Sequence, residues 1–224
     1  MRLITFQSYE ALKFLINNGY LICDEKYINM QKSKMTYDWV IEKMQEIIKN
    51  NTEAKFPMWA WVKCFNGICP PKRKGESVKN FNVKITFNKN ANEVFVTDFK
   101  KFSFILNNTF IPSTKKEKED FDQLLKKYNI TDEDLKAFAR SDKYPTHRTD
   151  KEYLEICSLI RKSFDKVITT DSNILQGCVW DIKLSEVESI EILTDTNTVY
   201  GSLNYIRSNG KRFDWRNDYY KTLK

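Results

Sequence analysis

An α+β fold, an antiparallel or mixed split sheet with flanking helices and a helical insertion, is what this sequence predicts. Strand-period segments occupy the first hundred residues, a helical block follows over about 112–165, and strand periodicity resumes at Gln176. Hydrophobic residues make up 41% of the 224, and 15 Phe with 11 Tyr supply enough apolar area for a sizeable core.

The elements follow in order. Arg2–Gln7 reads as a strand. Ser8 is a natural N-cap, Ala11, Leu12, Leu15 and Ile16 form an apolar helical face, and Gly19 closes that helix as a C′ residue. An extended segment runs from Tyr20 to Cys23. Thr36 opens a second helix whose Trp39, Val40, Met44, Ile47 and Ile48 fall at helical spacing. Pro57 starts an extended apolar stretch to Phe65, and residues 66–80 read as a loop around Pro70-Pro71 and Lys72-Arg73-Lys74-Gly75. Phe81, Val83, Ile85 and Phe87 alternate strictly. With Asn88–Asn92 as a turn and Val94 and Val96 on the return, they predict an antiparallel hairpin. A helix over about Lys100–Asn108 would turn Phe102, Ile105 and Leu106 inward.

Within the helical block, Thr114 with Glu117 and Thr149 with Glu152 fit capping boxes, and Thr131 caps a shorter helix. Leu154, Ile156, Cys157, Leu159, Ile160 and Phe164 predict a buried helix. Cys178, Trp180, Ile182 and Leu184 then share one face of a strand. Ile190 and Ile192 start another, and Ser208-Asn209-Gly210-Lys211 signals a terminal hairpin. A single α+β domain over residues 1–193 with a basic extension over 194–224 accounts for this pattern.

Composition excludes several classes of function. There is no run of about 18 apolar residues to span a membrane, and the start shows no secretory pattern, so a cytoplasmic protein is expected. The five cysteines form no disulfide framework, and Cys64-x4-Cys69 lacks a nearby second half for zinc, so no metal is expected. With one histidine, His147, any Ser-His or Cys-His chemistry would depend on that residue. The net charge of +7 is concentrated in residues 1–90 and again in the tail. Lys72, Arg73, Lys74, Arg212 and Arg216 would grip nucleic acid or an acidic partner, and compositional bias toward Lys explains the same excess.

Several residues stand out as candidates for a ligand site. Trp59 and Trp61 share a strand face and make a flat wall for a base, a nicotinamide or a sugar, or they fill the core. Thr5 and Gln7 also share a face, and either partner each other structurally or reach a ligand amide. Asp98 ends a strand where a carboxylate caps the next helix or accepts from a ribose hydroxyl. Gln176 stands at the entrance of a late strand. Glu186 and Glu188 follow it, with Glu188 read as the cap partner of Ser185.

Thr5-x-Gln7, the helix closed by Gly19, Tyr37-Asp38-Trp39, Pro57-Met58-Trp59-Ala60-Trp61, Thr97-Asp98-Phe99 through Asn107, and Gln176–Leu184 together resemble an uncharacterised bacterial and phage family, catalogued as domain of unknown function three-eight-four-one. The resemblance spans residues 1–193 and implies no settled activity. The opening strand–helix–Gly19 unit and the strand Val179–Leu184 before Ser185-Glu186-Val187 also look like parts of ADP-ribosyltransferase-type folds. That resemblance implies an NAD or nucleotide ligand in a cleft. Thr5 or Gln7 would then contact the nicotinamide side, Trp59, Trp61 or Tyr37 would stack, and Asp98 or Gln176 would hold ribose hydroxyls.

Overall fold

The computed structural model describes residues 1–24, 30–63, 83–135 and 151–192, with the backbone alone described for 30–35, 63 and 192. These residues fall into two compact units. The first gathers those of Met1–Tyr27, Lys43–Thr97 and Thr170–Phe213, and the second those of Ile28–Glu42 and Asp98–Thr169.

In chain order the strands are β1 (Arg2–Gln7), β2 (Tyr20–Ile22), β3 (Met58–Lys63), β4 (Val83–Asn88), β5 (Phe95–Asp98), β6 (Leu175–Val179), β7 (Asp181–Lys183) and β8 (Val187–Ile192). The α-helices are α1 (Tyr9–Asn18), α2 (Met30–Ile47), α3 (Phe102–Leu106), α4 (Lys115–Lys127) and α5 (Lys151–Ser163). A six-stranded sheet has the order β5-β6-β3-β1-β4-β8, and β2 and β7 form a separate two-stranded ribbon. The pairings β1·β3, β1·β4, β3·β6, β4·β8 and β2·β7 are all antiparallel, so the expected α+β split-sheet architecture is the observed one.

Local signals form these elements as the sequence indicates. Ser8 Oγ accepts from the Ala11 N–H at the start of α1. At its end Gly19 takes φ 76°, a left-handed conformation that lets its N–H reach the Leu15 carbonyl. Thr114 Oγ1 accepts from Glu117 N–H, and Thr131 and Asp134 cap each other reciprocally.

The first unit buries one face of the large sheet. Leu3, Met58, Ala60, Val83, Ile85, Phe87, Leu175 and Val179 meet Leu12 and Leu15 of α1, and Leu21 and Ile182 of the ribbon. The second unit has its own apolar interior, including Trp39, Ile111, Tyr153, Ile156 and Phe164. There the Trp39 and Phe164 rings meet edge to face at 5.9 Å.

The structure corrects two strand expectations. β4 and β5 do not form a hairpin. β4 lies between β1 and β8, and β5 is at the opposite edge beside β6. The connection crosses the buried face instead, because Val94 belongs to the core cluster. Its Cγ1 would lie 2.8 Å from a Cβ placed on Gly177, so glycine is what admits the close approach. The strand expected from Gln176 to Leu184 breaks at Trp180, with β6 in the large sheet and β7 in the ribbon.

Ile16, Ile47, Leu106 and Leu154 were expected inward and are exposed. Each is adjacent, or nearly so, to an apolar residue that is buried, and positions about 100° apart on a helix cannot all face the same core. Residues 66–80, His147, Thr149, the terminal hairpin and the C-terminal extension lie outside the described residues.

Candidate functional site

Antiparallel pairing decides which candidate side chains share a face. Residues directly opposite each other project to the same side, and neighbours along a strand project to opposite sides. Ile4 pairs with Trp61, so Trp61 shares the side of Arg2, Ile4 and Phe6. Thr5 pairs with Ile85 and Gln7 with Val83, which places both on the core face. Trp61 pairs with Gln176 and Trp59 with Cys178. The sheet therefore brings Trp59, Trp61 and Gln176 together on one face and holds Thr5 and Gln7 on the other.

The two polar sets differ in their partners. Thr5 is 2% exposed, yet its hydroxyl is matched in both directions. It donates to the Trp59 carbonyl at 2.9 Å and accepts from Gln7 Nε2 at 2.9 Å. Burial of this hydroxyl is thus compensated within the protein. Gln176 is 8% exposed, and its Nε2 has no hydrogen-bond partner.

Thr97 lies on β5, next to β6. Val96 belongs to the core cluster, so Thr97 projects to the same side as Gln176. Its Oγ1 is also buried without a partner, as is Nε1 of Trp180 at the end of β6. The indole-bearing face therefore holds two unmatched polar side chains on adjacent strands, Gln176 and Thr97.

The remaining candidates fall elsewhere. Asp98 Oδ1 accepts from the N–H groups of Lys100 and Lys101 at 2.7 and 2.9 Å, the capping role that a carboxylate before α3 offers. Tyr37 is half-buried on α2, and Tyr37 and Asp98 both belong to the second unit. Lys72, Arg73, Lys74, Arg212, Arg216, Cys64 and Cys69 lie outside the described residues.

Sequence reasoning missed one buried ionic cluster in the first unit. Lys89 Nζ donates to Asp181 Oδ1 at 2.8 Å and Glu186 Oε1 at 2.9 Å, and the lysine side chain is 2% exposed. Burial alone would lower the Lys89 pKa, but its hydrogen bonds to the two carboxylates outweigh that and raise it above the usual lysine value. A lysine in a turn gives no sequence signal of such burial. Glu188, expected to partner Ser185, instead forms a two-pronged pair with Arg2 across the sheet, and Glu186 takes the Lys183 N–H.

Thiolate chemistry finds no support among the described residues. Burial pushes Cys23 and Cys157 up to about 11, and Cys178, fully buried beside Trp59, well above its ordinary value. No group of three or more potential metal ligands occurs among the described residues, and no described helix is long and apolar enough to cross a membrane. The indole-bearing face combines two half-buried indoles with the unmatched polar groups of Gln176 and Thr97.

A family model described as a domain of unknown function (DUF3841) matches residues 2–188. An (R)-citramalate synthase from Sulfolobus acidocaldarius is 29% identical over 101 residues. That alignment takes in 45% of this chain and spans only 18% of the relative's length. No solved structure matches the chain.

Proposed function

The chain belongs to the DUF3841 family, and on that premise we propose that it binds a nucleotide-like ligand, with NAD as the leading candidate, on the indole-bearing face of its large sheet. One observation carries the reading. Gln176 Nε2 is a buried donor with no acceptor, directly across the strand pair from Trp61. Leaving such a donor unmatched costs roughly 1–3 kcal/mol, so a ligand that supplies an acceptor recovers that amount. A nucleobase or a nicotinamide carboxamide provides both the acceptor and a flat ring to lie against an indole. Thr97 Oγ1 on the neighbouring strand adds a second group able to donate or accept.

In this arrangement Gln176, and not Thr5 or Gln7, makes the amide contact. An ADP-ribosyltransferase-type reaction is the finer form of the same reading. Cleavage of a bond between nicotinamide and ribose depends on positioning and charge stabilisation more than on a strong base.

Thermal unfolding with NAD, nicotinamide and AMP tests the binding. At a hundredfold excess over Kd, a single-site ligand should raise Tm by about 5 °C or more. Gln176→Leu should remove the shift. If none of the three moves Tm at millimolar concentration, the proposal fails. Release of nicotinamide from NAD tests the transferase form separately.

A further inference from the structure

The second unit contains a pocket of its own. Helices α4 and α5 run antiparallel and are tied at both ends. Glu117, in the first turn of α4, pairs with Lys166 beyond the end of α5 at 2.6 Å. Tyr128, just past α4, reaches Glu155 near the start of α5 at 3.4 Å. The two ties run in opposite chain directions, which makes the helix pair antiparallel.

A pocket of about 350 Å³ occupies this middle stretch. Glu117, Asp120, Phe121 and Leu124 line it from α4, and Leu159, Lys162, Ser163 and Lys166 from α5 and the turn after it. On α4 the spacing is i, i+3, i+4, i+7, which is one helix face, and Leu159, Lys162 and Ser163 repeat its first three positions on α5. Phe110 completes the lining, stacked on Phe121 with centroids 4.2 Å apart. The volume falls within the range of small-molecule sites.

The charges of the pocket select its ligand. Glu117 and Lys166 neutralise each other. Lys166 also donates to the Ile111 carbonyl at 2.8 Å, and Ser163 Oγ is engaged with Ile111 N–H and the Ile160 carbonyl. Asp120 and Lys162 face the same pocket from opposite walls and form no ion pair with each other or with any other described residue. A purely anionic ligand would meet Asp120, and a purely cationic one Lys162. A zwitterion satisfies both.

We infer that this groove binds a free α-amino acid with an apolar side chain. The ammonium pairs with Asp120, the carboxylate with Lys162, and the side chain lies on Phe121, Leu124 and Leu159.

Calorimetric titration of the full chain with L-leucine and L-phenylalanine tests this, alongside N-acetyl-leucine, leucinamide and N-acetyl-leucinamide. The free amino acids should bind saturably. Removing one ligand charge should weaken binding about two- to fivefold, and removing both about tenfold, the range for exposed ion pairs. Asp120→Asn should narrow the gap between leucine and N-acetyl-leucine, and Lys162→Met the gap between leucine and leucinamide. Both positions are exposed, so folding is unaffected, and unchanged Tm checks that. The inference is overturned if neither amino acid binds at about 10 mM, an affinity that needs the apolar contacts with Phe121, Leu124 and Leu159 in addition to the two exposed pairs. It is equally overturned if the blocked analogues bind as tightly as the free ones.

Discussion

The two faces of the large sheet treat polar side chains in opposite ways. On the core face Thr5 and Gln7 form a closed chain ending at the Trp59 carbonyl. At the margin of that core, Lys89 is matched by two carboxylates. On the indole-bearing face Gln176 and Thr97 are just as buried and stay unmatched. Burial alone therefore does not single out a candidate ligand contact; the unmatched groups are where a ligand could supply a partner. Structural polar groups should be costly to remove, and unmatched ones should not.

The largest expected effect belongs to Lys89. Lys89→Met leaves Asp181 and Glu186 without their counter-charge, which should destabilise the fold by about 3 kcal/mol in urea unfolding at neutral pH. The pH dependence has a definite sign. The folded pKa of Lys89 lies above its unfolded value of 10.5, so the stabilisation is complete below that pH and is lost as pH rises through the folded value. The gap between the natural chain and Lys89→Met should be constant from pH 7 to 9 and shrink above 10.5. A gap that widens there would show the lysine to be strained by burial instead of held by its partners.

Thr5→Val gives the next largest effect. The substitution keeps the shape and removes the hydroxyl, leaving the Trp59 carbonyl and Gln7 Nε2 each short of a partner. A loss of about 1–3 kcal/mol is expected in the denaturant midpoint. If Thr5→Val instead leaves stability unchanged and abolishes a nucleotide-induced Tm shift, the assignment of the two faces is reversed.

Much of this contrast could not be read along the chain, for a physical reason. Signals carried within a few residues were legible. Ser8, Gly19, Thr114 and Thr131 cap where their side chains and dihedral freedom dictate, and alternation correctly put Trp59 with Trp61 and Thr5 with Gln7. Which pair faces the core depends on inter-strand register, and a shift of one residue exchanges the faces. Non-local pairing also defeated the Val83–Val96 hairpin, since Asn88–Asn92 is compatible with either a tight turn or a crossover. Neighbouring apolar residues such as Ile47 and Ile48 both suit a buried position, and only Ile48, 2% exposed, takes it. Lys89, Asp181 and Thr97 become notable only when strands distant in sequence are laid side by side.

Gln176→Leu should have the smallest effect on stability and is the most discriminating. Leucine is close to glutamine in volume and carries no donor, so the substitution removes an unmatched group from a buried strand position without opening a large cavity. Stability without ligand should stay within about 0.5 kcal/mol of the natural chain, or rise. The same variant should lose the Tm gain from NAD or AMP, while Thr5→Val, though less stable, should keep it. Paired melts of the two variants with and without nucleotide make the comparison directly. A clear destabilisation of Gln176→Leu without ligand would mean that its amide already has a structural partner, such as a bound water, and would remove the basis for a ligand on that face.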